Sequence, residues 1–149
     1  MKGGEKNYFY LITVAYDGSD FAGWAVQPNK FTIQGSVEKV LSKIFQSEIN
    51  ILAASRTDKG VHALEQKFTL SLNLPFSEKK LFNLLKKALC KYVLVKKVKK
   101  VDRNFHPLRN VVSKEYRYFI NTGKLNIFQK KYRWEYNLPL EIKKINNIL

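Results

Sequence analysis

Leu64-Glu65-Gln66-Lys67-Phe68-Thr69-Leu70-Ser71-Leu72-Asn73-Leu74-Pro75 alternates without a break. Leu64, Gln66, Phe68, Leu70, Leu72 and Leu74 fall on one side of an extended chain, and Glu65, Lys67, Thr69, Ser71 and Asn73 on the other. Successive strand side chains point to opposite faces, so the stretch reads as a strand buried on one face only. Pro75 ends it. Upstream lies a polar loop from Ser55 to Gly60, preceded by a short apolar run, residues 49–54, expected to be another strand. Before that the period changes: Ile33, Val37, Val40, Leu41, Ile44 and Phe45 share a helical face, with Thr32 as N-cap. Residues 8–16, YFYLITVAY, are apolar on both alternating faces, which suits a central strand covered on both sides. Asp17-Gly18-Ser19-Asp20 then makes a turn.

Downstream, Ser77 caps a second helix carrying Leu81, Leu84, Leu85, Ala88 and Leu89. Residues 92–101, rich in Val and Lys, read as a strand. Residues 111–120 read as another, with Val112, Lys114, Tyr116, Tyr118 and Ile120 on one face. Pro139 is placed to start a last helix. The order β-α-β-β-α-β predicts the α+β class. In particular it predicts a ferredoxin-like, RRM-like split βαβ domain, an antiparallel sheet with two helices on one face.

The 149 residues suffice for one domain with its own core. A single cysteine, Cys90, excludes an intramolecular disulfide framework. With only His62 and His106 beside it, no metal site is expected. No run approaches the eighteen or so apolar residues of a membrane helix, and the opening MKGGEKN lacks a signal-peptide design. The chain is expected to be cytoplasmic and to have no membrane partner.

The net charge is +15. Residues 1–74 hold 8 basic and 7 acidic side chains, residues 75–149 hold 19 and 5. Charge segregated in this way usually faces a polyanion, though a solvated lysine-rich surface has the same composition. Lys96, Lys97, Lys99 and Lys100 are equally phosphate contacts or a solvated edge.

The loop Ser55-Arg56-Thr57-Asp58-Lys59-Gly60-Val61-His62 is the candidate site. Arg56 and Lys59 flank Asp58, and nearby cations keep a carboxylate ionised, as a nucleophile or general base requires. Gly60 permits a turn without Cβ crowding. By residue types alone, Asp-Lys-Gly reads more readily as an ordinary turn. By the same standard Tyr116 and Tyr118 read as core aromatics, Trp24 as a core aromatic, Gln34 as a helix-start hydrogen-bonder, and His62 and His106 as structural histidines.

Arg56-Thr57-Asp58-Lys59-Gly60-Val61-His62 resembles the RTDxGVH signature of the TruA family of tRNA pseudouridine synthases. Tyr16 to Trp24, YDGSDFAGW, is similar to that family's YDGxxFxGW segment, at the right distance upstream. Thr32-Ile33-Gln34, Phe105-His106 and Lys114-Glu115-Tyr116-Arg117-Tyr118 resemble further family elements in the same order. Ser55 and Leu108 depart from the pattern, standing where the family commonly has glycine and arginine.

The resemblance implies isomerisation of uridine to pseudouridine in the anticodon stem-loop of tRNA, with no cofactor or metal. It makes Asp58 the catalytic aspartate, attacking either the sugar C1′ or the uracil ring. It makes Tyr116 the residue that stacks on the target base, and Arg56 the residue that pairs with the aspartate and holds the nucleotide flipped out. It implies a homodimer whose partner is the anticodon arm of tRNA. It also implies two similar domains per chain, so that residues 1–108 form the N-terminal domain and residues 109–149 the incomplete start of the C-terminal one. The alternative is a non-catalytic RNA-binding module of RRM-like shape, although the RRM's own aromatic signature is absent from this sequence.

Overall fold

The computed structural model describes residues 7–146. The chain divides into two compact units, one ending at Val112 and the other starting at Ser113.

In the first unit the elements run β1 (Tyr8–Tyr16), α1 (Ile33–Phe45), β2 (Leu52–Ala53), β3 (Ala63–Leu72), α2 (Glu78–Ala88) and β4 (Leu94–Val101). The four strands form one sheet in the order β2-β3-β1-β4, with every neighbouring pair antiparallel. The α+β class and the element order therefore stand, although β2 keeps only two residues of the expected 49–54 strand.

The alternating face of β3 is buried at Gln66, Phe68, Leu70 and Leu72 but not at its ends. Leu74 lies beyond the strand, and Leu64 is two-thirds exposed. Leu64 is turned out by a bulge: Gln66 pairs with Val14 and Ala63 with Tyr16, so Leu64 and Glu65 together oppose Ala15. A second irregularity leaves Lys96 as the extra residue where Thr13 pairs with Lys97 and Val14 with Val95. Lys96 Nζ reaches the first bulge, donating to Leu64 O and Glu65 Oε1, each at 3.2 Å.

β1 is central, but its two faces differ. Tyr10, Ile12, Val14 and Tyr16 are buried, whereas on the other face Thr13 is buried and Phe9, Leu11 and Ala15 are half-buried. Cover is full on one face and partial on the other. The helices bury their apolar residues (Ile33, Val37 and Leu41 from α1, Leu81 and Leu85 from α2) in one cluster with the Tyr10 face of the sheet. The Phe9 face has no helix in that cluster. Both expected caps are present: Gly35 N donates to Thr32 Oγ1 at 3.3 Å and Lys80 N to Ser77 Oγ at 3.3 Å. Tyr10 Oη accepts from Phe76 N at 2.7 Å and donates to Phe76 O at 3.0 Å, fastening the β3–α2 connection to the central strand.

The second unit contains β5 (Ile120–Asn121), paired in parallel with β6 (Trp134–Glu135), and α3 (Ile142–Asn146). The expected strand over 111–120 is not formed: only its last residue is in a strand. Tyr116 and Tyr118 are exposed rather than core residues, and Val112 is fully exposed. Alternation alone does not make a strand. It requires a neighbour to complete the ladder, and among the described residues this stretch has one only at Ile120 and Asn121.

Candidate active site

The loop between β2 and β3 is held at both ends and free in its middle. At its entry Ala54 N donates to Lys67 O at 2.8 Å, and Gln66 Nε2 donates to Ser55 O at 2.7 Å. Thr57 is gripped twice: Trp24 N donates to its carbonyl at 2.9 Å, and its Oγ1 shares a 2.9 Å hydrogen bond with Tyr16 Oη. At its exit Gly18 N donates to His62 Nδ1 at 3.1 Å. The Asp17 carboxylate lies 3.0 Å from the same nitrogen, so the ring joins the start of the Asp17 turn to the end of the loop.

Between these anchors Asp58 to Val61 forms a turn closed by Val61 N donating to Asp58 O at 3.2 Å. Gly60, at φ +78°, takes the left-handed conformation that the turn requires, and the space beside it is open. The ordinary-turn reading is therefore correct, and the turn displays Asp58. Its carboxylate is exposed and makes no hydrogen bond or ion pair among the described residues. Arg56, also exposed, makes no ion pair with it. Lys59 is the next residue along the turn.

Two glycines allow the YDGSDFAGW segment to lie against this loop. A Cβ on Gly18 would sit 2.0 Å from Val61 O, and one on Gly23 would sit 2.8 Å from Thr57 O. Gly23 also has φ +101°. The two segments enclose a groove of about 560 Å³. One wall is Ser19 to Ala22 with Lys30 and Phe31, and the other is Arg56 to Lys59. Phe31 stacks on Phe21 with ring centroids 4.8 Å apart and remains half exposed.

Trp24 is a core residue, 1% exposed. Gln34 bonds Glu38 Oε1 at 2.8 Å and Ile51 O at 3.3 Å, the helix-start role expected of it. Tyr116 belongs to the second unit, where its ring is exposed. The tetrad of β4 lysines divides. Lys96 pairs with Glu65, and its bond and charge, reinforced by Lys67, hold that carboxyl below its ordinary range. Lys97 and Lys99 pair in register with Thr13 and Leu11, on the sheet face away from the helices. Two participants escaped sequence reading. Burial pushes the Tyr16 phenol above its ordinary range, opposed by hydrogen bonds to Thr57 and Gln66. Gln66 is itself a buried amide. The available signal was a glutamine inside an otherwise apolar alternating face.

An α+β domain that fixes a two-glycine segment against an aspartate-bearing turn defines the class: a protein with an exposed carboxylate beside a groove lined by aromatic and basic groups. No family model matches the chain. Among curated proteins it is 40% identical over 136 residues to tRNA pseudouridine synthase A of Mycoplasma genitalium, covering 91% of this chain and 56% of that protein. It is 36% identical over 142 residues to tRNA pseudouridine synthase A of Malacoplasma penetrans, covering 94% and 58%. It is 40% identical over 140 residues to tRNA pseudouridine synthase A of Dictyoglomus thermophilum, covering 92% and 57%. The chain is thus related to the tRNA pseudouridine synthase A proteins along nine-tenths of its length, and it spans a little over half of theirs.

Proposed function

We propose that this chain provides the Asp58-bearing part of a tRNA pseudouridine synthase, acting on uridine in the anticodon arm of tRNA. The observation that carries the reading is the exposed, unpaired Asp58 carboxylate, on a turn whose neighbours are fixed on both sides. The strand order β2-β3-β1-β4 supports a ferredoxin-like domain in the first unit.

The chemistry needs a carboxylate that stays ionised and accessible. Asp58 attacks the nucleoside, at C1′ or on the ring, and the C1′–N1 electron pair leaves with the uracil. The detached uracil turns, C5 bonds to C1′ as the aspartate is released, and the C5 proton is lost while N1 gains one. Atoms and electrons balance within one nucleoside, so the scheme consumes no co-substrate. Extracting the base from its stack costs a few kcal/mol, which an aromatic face and a cation can offset. In this scheme Tyr116 supplies the face, and Arg56 is the cation that pairs with Asp58 and holds the flipped nucleotide once substrate is bound. In the same scheme Lys97 and Lys99 are the cations offered to backbone phosphates. The protein works as a homodimer in the cytoplasm.

Nucleoside analysis of an unmodified tRNA transcript incubated with the full-length protein tests the reading. Pseudouridine confined to the anticodon arm is the expected result. RNA that binds and returns with every uridine intact would overturn it in favour of a non-catalytic RNA-binding module.

A further inference from the structure

We propose that Tyr16 and Gln66 are positioning residues for Asp58, acting through the backbone and hydroxyl of the residues that precede it. The proposal rests on the reading of Asp58 given above and adds two residues to it. Both stand at the end of the sheet's buried face, Tyr16 closing β1 and Gln66 on β3 beside the bulge. Both are about 6% exposed.

A core built for stability alone would take apolar side chains at both places, because a buried hydroxyl or amide costs free energy unless bonded. Here each is bonded to the same loop. Gln66 Nε2 donates to Ser55 O at 2.7 Å, and Tyr16 Oη meets Thr57 Oγ1 at 2.9 Å. Their contacts bracket Arg56 and end one residue before Asp58. Trp24 N, bonded to Thr57 O at 2.9 Å, closes the grip from a third direction. Among the described residues, the one bond across the turn itself is Val61 N to Asp58 O at 3.2 Å. The direction in which the Asp58 carboxylate projects is therefore set by Ser55 and Thr57. Those two residues are held by side chains rooted in the buried face of the sheet. A carboxylate misplaced by an ångström loses rate, not binding, because groups that act only in the transition state contribute to kcat.

The test uses Tyr16→Phe, Thr57→Val and Thr57→Ser, with amide hydrogen exchange and steady-state turnover on tRNA. The Trp24 and Val61 amides report the loop, and the β1 amides paired with β3 and β4 report the sheet. Tyr16→Phe and Thr57→Val should speed exchange at Trp24 and Val61 by about tenfold, the loss of one ordinary hydrogen bond, while the β1 amides stay within about twofold. kcat should fall by about tenfold at unchanged KM, and Thr57→Ser, which keeps the hydroxyl, should restore both. Unchanged loop amides in Tyr16→Phe and Thr57→Val would overturn the proposal, as would Thr57→Ser behaving like Thr57→Val. A loop loosened as described in a protein whose wild type makes no pseudouridine would leave the tether standing and refute the catalytic reading instead.

Discussion

Gly18→Ala is the substitution on which the loop's geometry can be tried most sharply. Gly18 has no positive φ, so alanine meets no backbone strain there and the entire cost is steric. The new Cβ would lie 2.0 Å from Val61 O and 2.7 Å from Val61 C, both main-chain atoms that cannot rotate away. Reaching ordinary contact of 3.4 Å at Val61 O requires a shift of about 1.4 Å between two segments, and the shift also stretches the 3.1 Å bond from Gly18 N to His62 Nδ1. Overpacking of this kind costs about 1–3 kcal/mol and the bond about 1 more, so roughly 3 kcal/mol is expected. In a unit of this size that lowers the melting temperature by about 10–20 °C. Gly60→Ala is the control: Gly60 needs φ +78° but has open space around it, so only the left-handed penalty of about 1 kcal/mol applies. Urea unfolding of both variants, at constant slope, reads the difference. If Gly18→Ala costs no more than Gly60→Ala, the close approach of the two segments is wrong.

Further consequences are open to measurement. Phe68→Ala removes a fully buried ring beside Trp24 and should cost about 3–5 kcal/mol in the same unfolding experiment. The Tyr16 phenol is raised above 10.0 by burial, so its contribution to stability is complete below pH 10 and is lost as pH rises through the folded value. Alkaline unfolding should therefore be less steep in Tyr16→Phe than in the wild type. Lys97→Ala and Lys99→Ala should each weaken tRNA binding and lower the slope of log affinity against log salt by about one. An unaltered slope would place the phosphates elsewhere.

Much of the first unit was legible because its signals are local and unambiguous. The alternation from Leu64, the helical spacing from Ile33 and the hydroxyls at Thr32 and Ser77 each specify one kind of element, and each element is found, although the alternating face is buried only from Gln66 to Leu72. The bulge at Leu64 was not legible, since alternation continues through it and only the pairing partner reveals the extra residue; at Lys96 the three-residue spacing of the buried Val95 and Val98 breaks the alternation. The stretch 111–120 has as clear a period as β3 yet forms a strand only at its end, because periodicity carries no information about whether a neighbour is present. At the site, Asp58 and Arg56 were visible in the sequence through a recognisable motif. Tyr16 and Gln66 were not, because their part depends on two strands ending side by side under the loop.

Asp58 is the residue on which turnover depends in the proposed reaction. Uridine carrying tritium at C5 loses it when the sugar carbon takes that place, so release from labelled tRNA follows the reaction. Asp58→Asn keeps the size and the turn but removes the charge and the nucleophile. Release by the wild type, with a loss on the order of a thousandfold or more in Asp58→Asn and tRNA affinity little changed, is the result expected. Comparable release from the two proteins would contradict it.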